Sequence, residues 1–570
     1  MLCKKKLPVG IEFFKDMVDK SYYYVDKTLV IKEILDDGGH VNLFTRPRRF
    51  GKTLLLSTLQ AFFEKDTDRQ GKVVDNRHYF AGTAIMDAGD EYQKHLGQYP
   101  VLSLSLKSAR QPNYQMAYGR LTEQIAREFR RHRYVLGNGV LMKDEEEKYL
   151  ALMSGGAEIG EYATSLLFLS ECLSSYHRKK TIILIDEYDV PLENAYFEGF
   201  YDEMAGFIRS LFESALKTNA CLELAVITGC LRISKESIFT GLNNLEVHSV
   251  LSDSYAEYFG FTQGEVEKML ASYGIAGQAD IIKDWYNGYL FGNKVVYNPW
   301  SVVNYVKSAV THDFEYPRPY WSNTSSNSII RELVENADES VRNEIEELVS
   351  GGTIEKPVHE DITYGEIRES QDNLWNFLYF TGYLKAVSRR FEINTMYLTL
   401  RIPNEEVRYV YRNTIQRWFE QRQKNYDLKP FYEGIRSGNC ELIEEFINGQ
   451  LAESISYHDS AENFYQGYML GLLSGFTGYE IKSDREQGEG RPDIMLKPYA
   501  PQKPAIILEL KRAKSFGQME KLCDEALRQI ETRGYAKSLL AEGYHEVMRY
   551  GICFYRKNCR VKNGNTEYGQ

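Results

Sequence analysis

The sequence predicts an α/β protein in three parts: an N-terminal parallel sheet with helices on both faces, a helical middle, and a compact C-terminal α/β unit. Over the first ~250 residues, short β-rich runs alternate with amphipathic helical patterns, and such alternation builds parallel sheets covered on both sides. From about Ala256 to Gln450 the pattern turns mostly helical. Near Ser454 short strands return. The expected boundaries are 1–255, 256–450 and 451–570.

In the first part the candidate strands are His40–Thr45, Pro100–Leu106, Thr181–Asp186 and Leu222–Thr228. Between them lie helices such as Thr53–Lys65, Tyr114–Arg131 and Gly160–His177. The middle holds two loop-rich segments, Asn287–Trp300 and Gly351–Tyr364, and many aromatics, including Tyr286, Trp321 and Trp375. At that density aromatic rings read as packing rather than as base-stacking platforms. The third part reads helix Ala461–Leu473, strand Tyr479–Ser483, a Gly-rich turn, strands Asp493–Leu496 and Ala505–Leu510, helix Gln518–Thr532 and strand Tyr550–Tyr555.

Composition narrows the function classes. Of the 570 residues, 43% are hydrophobic and 26% charged, which excludes wholesale disorder and a disulfide miniprotein. With 69 basic against 80 acidic side chains the formal net charge is -11, so any nucleic-acid contact must come from a local basic patch. No apolar run reaches the ~18 residues of a membrane span. The start MLCKKKLPVG lacks an apolar core behind its lysines, so no secretory signal is expected. The 8 cysteines are scattered without CxxC or zinc spacing, which points to a reduced, cytoplasmic protein.

The clearest chemical signal is Phe44-Thr45-Arg46-Pro47-Arg48-Arg49-Phe50-Gly51-Lys52-Thr53, which follows a strand and opens a helix. That is the context of a P-loop, whose backbone N–H groups cradle phosphate oxygens. The loop Arg49–Phe50–Gly51 would wrap the phosphates, Lys52 would reach the β- and γ-phosphates, and the Thr53 hydroxyl would hold Mg²⁺. Arg46 stands where the usual pattern has its first glycine. The apolar strand TIILID ends in Asp186 and Glu187, one to bind the Mg²⁺ shell and one to polarise the attacking water. Thr228, at the tip of a further strand, faces either the γ-phosphate or the water, or is a plain strand-end hydroxyl; Arg232 beyond it is a phosphate sensor or a surface arginine.

The segments YYYVDKT, TRPRRFGKT, TIILIDEYD and TGCLRISKESIFTGLNNL resemble the bacterial AAA-ATPase-like family, as do the later stretches FGFT, WYNGY, YNPWS and YWSNTSSN. The likeness runs from about Pro8 to Asn327. It implies an N-terminal P-loop NTPase, with nucleotide binding by Gly51, Lys52 and Thr53 and Mg²⁺ and hydrolysis roles for Asp186 and Glu187. That family carries an arginine-rich loop in place of the Gly-first P-loop, which accounts for Arg46.

In the third part, Glu509 and Lys511 lie two apart on a strand and so face one side, while Leu508 and Leu510 face the core. Asp493 starts the preceding strand, so a hairpin would bring its carboxylate beside Glu509. Two carboxylates and an amine suit a hard cation and an activated water. Asp493 and Glu509 would bind Mg²⁺, with the Leu510 carbonyl, and Lys511 would position the water and offset charge on a phosphodiester.

This layout resembles the PD-(D/E)xK nuclease superfamily over about Glu453–Lys557, which implies a restriction-endonuclease-like α/β fold. Within the likeness, Glu462 is a further carboxylate of the site and Gln529 is the helix residue that touches it. Gln466 stands where the family is associated with His, which puts a helper role there in doubt. Arg485, Arg491, Lys497, Lys511, Arg512 and Lys514 supply a local basic edge. The expectation is an ATPase, using ATP and Mg²⁺, coupled to a metal-dependent nuclease that contacts DNA locally and does not touch a membrane. The alternative is an ATP-driven switch or scaffold whose nuclease-like domain holds nucleic acid without cutting. Oligomeric state is left open.

Overall fold

The computed structural model describes residues 5–67, 72–232, 238–239, 242–311, 316–321, 339–359, 370–423, 427–453, 462–473, 475–483, 492–500, 502–564 and 567–568. The chain divides into two compact units, Met1–Ser325 with Glu355–Val407, and Ser326–Ile354 with Arg408–Gln570.

The first unit is built on β1 (Val41–Thr45), β2 (Val101–Ser105), β3 (Thr181–Asp186), β4 (Leu222–Gly229) and β5 (Leu245–His248), all parallel, in the order β2-β3-β4-β1-β5. β1 and β3 are buried along their whole length, because a parallel sheet packed on both faces hides both side-chain rows. The helix Tyr114–Arg131 buries Ala117, Leu121, Ile125 and Phe129, one stripe at four-residue spacing. Its first turn is capped by the Asn113 side chain, which accepts the Met116 N–H.

Since β4 lies between β1 and β3, the tip of β4 separates the P-loop strand from the Asp186 strand. Thr228 sits at that tip, which places its hydroxyl between the two motifs.

The rest of this unit is more than helices. Helices Gln263–Tyr273, Ala279–Tyr286 and Pro299–Thr311 share one core through Leu270, Ile282, Tyr286, Val302 and Tyr305. The loop-rich segment around Asn287 holds the hairpin β6 (Tyr289–Phe291) and β7 (Lys294–Val296), and the one after Gly351 holds β8 (Ile354–Val358). β9 (Lys385–Glu392) and β10 (Thr395–Arg401) follow helix Gln371–Phe380 and join β8 in the order β8-β10-β9. Tyr286, Trp321 and Trp375 are fully buried, so these rings are packing groups.

The second unit carries a mixed sheet, β11 (Tyr479–Ser483), β12 (Ile494–Pro498), β13 (Ala505–Arg512), β14 (Glu546–Tyr555) and β15 (Asn558–Asn563), in sequence order, with β16 (Glu567–Tyr568) pairing β14. β13 and β14 run parallel and the other pairs are antiparallel. One face packs Leu508, Leu510 and Ile552 against Tyr465, Met469 and Leu472 of helix Glu462–Leu473. The other packs Ile507 and Val547 against Ile530 of helix Met519–Thr532 and Leu539 of helix Tyr535–Ala541. Both faces of β13 are therefore covered, and Glu509 is buried with its neighbours. Among the described residues no helix is long and apolar enough to cross a membrane.

Candidate functional site

Two clusters of polar groups sit where the sequence motifs lie, one in each unit. In the first, β1 runs into the loop 46–51 and then into helix Lys52–Phe63. Gly51 caps the helix at φ 85°, a left-handed conformation that glycine adopts without steric cost. Arg49 also takes a positive φ of 71°, and its guanidinium lies over the Trp300 ring at 4.4 Å. The Phe50 ring is buried edge-on against Tyr289 and Phe291, so only the Phe50 backbone is offered to a ligand.

Lys52 is buried, and its Nζ donates to the carbonyls of Arg46 at 2.8 Å and Pro47 at 2.9 Å, which holds the loop wrapped round the ammonium. The Thr53 hydroxyl donates to Asp186 Oδ2 at 2.7 Å, and the Thr228 hydroxyl to Asp186 Oδ1 at 2.5 Å. Both oxygens of Asp186 are thus occupied by side chains from the P-loop helix and the intervening strand. Glu187 follows with φ 53°, beside Lys52 and Thr53 in the pocket wall. Burial, and then the charge of Asp186, raise its pKa above the ordinary carboxylate range.

Arg46 does not face this pocket. Its guanidinium is fully buried between the rings of Phe259 and Phe291, at 5.0 and 5.1 Å, and donates to the His248 carbonyl at 2.6 Å. Burial lowers its pKa to about 9. The unexpected arginine thus anchors the loop entrance to the tip of β5.

The P-loop also rests on the later part of the unit. The Trp321 indole N–H donates to the Arg48 carbonyl at 3.3 Å, and its backbone N–H donates to the buried Glu406 carboxylate at 2.8 Å. Burial pushes the Glu406 carboxyl up to about 8. Gly382 passes so near Pro47 that a Cβ there would stand 2.9 Å from the proline Cβ, so glycine is required.

The pocket encloses about 370 Å³. Its lining includes the polar Gly51, Lys52, Thr53 and Glu187, the cations Arg48, Lys107 and Arg110, and the apolar Val9, Tyr24, Phe261, Met269 and Trp300. Sequence reasoning missed several of these contributors. Lys107 and Arg110 follow β2, and Asp189 is buried with its carboxylate accepting the N–H groups of Cys230, at 2.7 Å, and Leu231. Asp189 belongs to the IDEYD run, so its signal was in view, but its partners lie some forty residues on and only the fold joins them. Arg232 is half-buried and does not line the pocket.

In the second unit the register Ile494↔Leu508 places Asp493 opposite Glu509 at the start of β12. Asp493 Oδ2 accepts the Leu510 N–H at 2.7 Å, which fixes its carboxylate against β13. Glu509 Oε1 accepts from Lys511 Nζ at 3.3 Å and from the Gln529 side-chain amide. Glu509 Oε2 is buried and has no hydrogen-bond partner among the described residues. Burial, and then the Asp493 charge, push the Glu509 carboxyl up to about 7, against a smaller lowering by Lys511.

Gln529 reaches the site because its helix packs close to β14. A Cβ on Gly551, which pairs with Glu509, would stand 2.4 Å from the Cys523 carbonyl oxygen. Gln466 donates its side-chain amide to the Asp493 main-chain carbonyl at 2.9 Å and so holds the backbone at Asp493 from the helix Glu462–Leu473. Glu462 begins its helix, but its side chain, like Arg485 and Arg491, lies outside the described residues. Lys497 is engaged by Glu542 at 2.5 Å.

A divalent cation fits this donor set. The bare buried oxygen of Glu509, beside a second carboxylate fixed by a backbone N–H, is an acceptor that an oxygen-seeking cation would satisfy. Among the described residues no group of three or more His, Cys, Asp or Glu side chains converges.

Residues 8–239 match the family described as Predicted AAA-ATPase, and residues 460–564 match the PD-(D/E)XK nuclease superfamily. An uncharacterized protein in the vnfD 5' region of Azotobacter chroococcum mcd 1 is 28% identical over 335 residues, or 58% of this chain. The chain spans 57% of that relative's length.

Proposed function

We propose that this chain, which joins an AAA-ATPase-like domain to a PD-(D/E)XK nuclease superfamily domain, is an ATPase whose nucleotide cycle governs metal-dependent hydrolysis of DNA phosphodiester bonds. Its strongest support is the C-terminal convergence: Asp493 opposite Glu509, a bare buried Glu509 oxygen, and Lys511 on the same carboxylate.

In the first unit the apolar lining of the pocket suits a nucleobase, and its cationic lining suits a triphosphate. Lys52 would exchange two loop carbonyls for terminal phosphate oxygens, the stronger charge-assisted partners. Thr53 and Asp186 would hold Mg²⁺, which neutralises phosphate charge. Glu187 is next to them, and its raised pKa makes it a better proton acceptor for the attacking water. Thr228 orients Asp186 and ties β4 to that chemistry.

In the second unit Asp493 and Glu509 would hold the cation, which supplies Lewis acidity at the scissile phosphate. Lys511 orients the nucleophilic water and offers positive charge to the phosphate oxygens. Gln529 fixes the Glu509 carboxylate from the helix side, and Glu462, from the resemblance, is proposed as a further acidic member. The compartment we assign is the cytoplasm, in keeping with free thiols at the described cysteines.

The deciding experiment measures cleavage of labelled DNA by the full chain with Mg²⁺ or Mn²⁺, with ATP, with a non-hydrolysable analogue and without nucleotide. Cutting that needs metal, changes with nucleotide and disappears in Glu509→Gln supports the proposal. DNA binding without cutting, in wild type under every condition, would replace it with the ATP-switch reading.

A further inference from the structure

We propose that Tyr188 and Asp189 are positioning residues for Glu187: together they clamp the turn after β3 to the turn after β4 and so keep the Glu187 carboxylate in the wall of the phosphate pocket. This rests on the ATPase reading above, and adds the residues that hold its base in place.

Glu187 needs such a hold. Its φ of 53° is a left-handed conformation that a residue with a Cβ rarely adopts, and residues of that kind persist where their surroundings over-determine them. A turn free to relax to a right-handed conformation would swing the carboxylate away from Lys52 and Thr53, its neighbours in the pocket wall.

The next two residues supply the constraint. The Tyr188 backbone N–H donates to the Thr228 carbonyl at 3.1 Å, and its phenol O–H donates to the Leu231 carbonyl at 2.6 Å. The ring is fully buried, edge-on to Phe239 with centroids 5.2 Å apart. Asp189 Oδ2 accepts the N–H groups of Cys230 at 2.7 Å and Leu231 at 3.2 Å. Four hydrogen bonds thus tie residues 188–189 to residues 228–231. Gly229 closes the fit, since a Cβ there would stand 2.5 Å from the Tyr188 ring and 3.0 Å from Asp189 Oδ1.

The direction of the Asp189 carboxylate marks a dedicated role. Asp189 immediately precedes helix Val190–Glu198, where an aspartate ordinarily caps the helix with its own side chain. Among the described residues its carboxylate makes no such cap; it is buried, 3% exposed, and reaches across to the turn after β4. An aspartate that served only its own helix would cap it. Thr228, whose carbonyl is one end of the clamp, holds Asp186 with its hydroxyl, so the two acidic residues at the end of β3 are fixed from the same strand tip.

The test measures ATP turnover by phosphate release and ATP affinity by calorimetry on the full chain. The variants are Asp189→Ala, Asp189→Asn and Tyr188→Phe, each alone and combined with Glu187→Gln, with circular dichroism to check the fold. Asp189→Ala should lower kcat about 10²-fold with the ATP Kd unchanged, the cost of misplacing a reacting group by about an ångström. Asp189→Asn, whose amide oxygen accepts the same two N–H groups, should recover most of the loss. Tyr188→Phe gives up one hydrogen bond and should lower kcat about tenfold. In the Glu187→Gln background neither Asp189→Ala nor Tyr188→Phe should cost more, because both act only through the residue already lost. Wild-type kcat in both single variants overturns the proposal. So do losses that multiply with Glu187→Gln, or a fall in ATP affinity that accounts for the lost turnover. Where Asp189→Ala fails to fold, Tyr188→Phe with Glu187→Gln decides the question alone. Failure of the ATPase reading looks different: Glu187→Gln then matches wild type, or wild type turns over no ATP, and either result overturns this assignment as well.

Discussion

Asp186 and Glu509 are both acidic residues on buried strands, yet they are partnered in opposite ways. Each oxygen of Asp186 receives a hydroxyl, from Thr53 and from Thr228. Among the described residues Glu509 has two donors on one oxygen and none on the other. The N-terminal site is closed on itself by neutral donors that a cation can displace. The C-terminal site keeps a buried acceptor bare, and the cost appears in a carboxyl pushed up to about 7. On the function proposed, these are two ways of keeping a cation site: one is internally satisfied and would have to be opened, and the other is unsatisfied and would have to be filled.

The largest effect should come from breaking the unsatisfied site. Asp493→Ala or Glu509→Ala is expected to abolish the C-terminal component of Mn²⁺ binding by calorimetry and all metal-dependent cutting, while ATP turnover continues. Lys511→Ala should keep Mn²⁺ binding and lose cutting, because its amine serves the water and the phosphate. Next is Glu187→Gln, which should bind ATP normally and hydrolyse it about 10²–10⁴-fold more slowly in a steady-state phosphate-release assay. An unchanged turnover would remove Glu187 as the base.

The pH dependence separates the sites further. Glu509 carries a proton below about 7, so a cation must displace it there. Apparent Mn²⁺ affinity should therefore fall about tenfold per pH unit below neutrality and level off above it. Since the folded pKa is raised, the proton stabilises the fold between the unfolded carboxylate pKa and about 7, and metal-free stability declines as pH rises through that window. Glu509→Gln should flatten that decline in pH-resolved thermal unfolding of the full chain. The smallest effect belongs to Thr228→Val, which makes Asp186 resemble Glu509 by baring one oxygen. It should cost about 1–3 kcal/mol in denaturant stability, and added Mg²⁺ should recover part of it.

The N-terminal strands were legible because a parallel sheet buried on both faces leaves nearly continuous apolar runs, as in TIILID. The mixed C-terminal sheet was legible through motif spacing, and Gln529 was expected to touch the site through the resemblance, though its partner Glu509 was not named. β9 and β10 were not. Their run KAVSRRFEINTMYLTLR alternates with a polar face, and a turn built on Ile393 has none of the Asn-Gly or Asp-Gly signals that mark hairpins. Nor was the buried role of Arg46, since its partners His248, Phe259 and Phe291 are brought to it only by the fold.

Trp321 gives the molecule an optical reporter of its own. The indole is buried against the Tyr383 ring at 4.8 Å, and its N–H is bonded to the carbonyl of a P-loop residue. On the proposed binding mode, a triphosphate that draws Lys52 away from the carbonyls of Arg46 and Pro47 would shift the adjoining backbone at Arg48 and change the polarity around the indole. Emission from this ring, compared between wild type and Trp321→Phe, would follow nucleotide arrival in real time without any added dye.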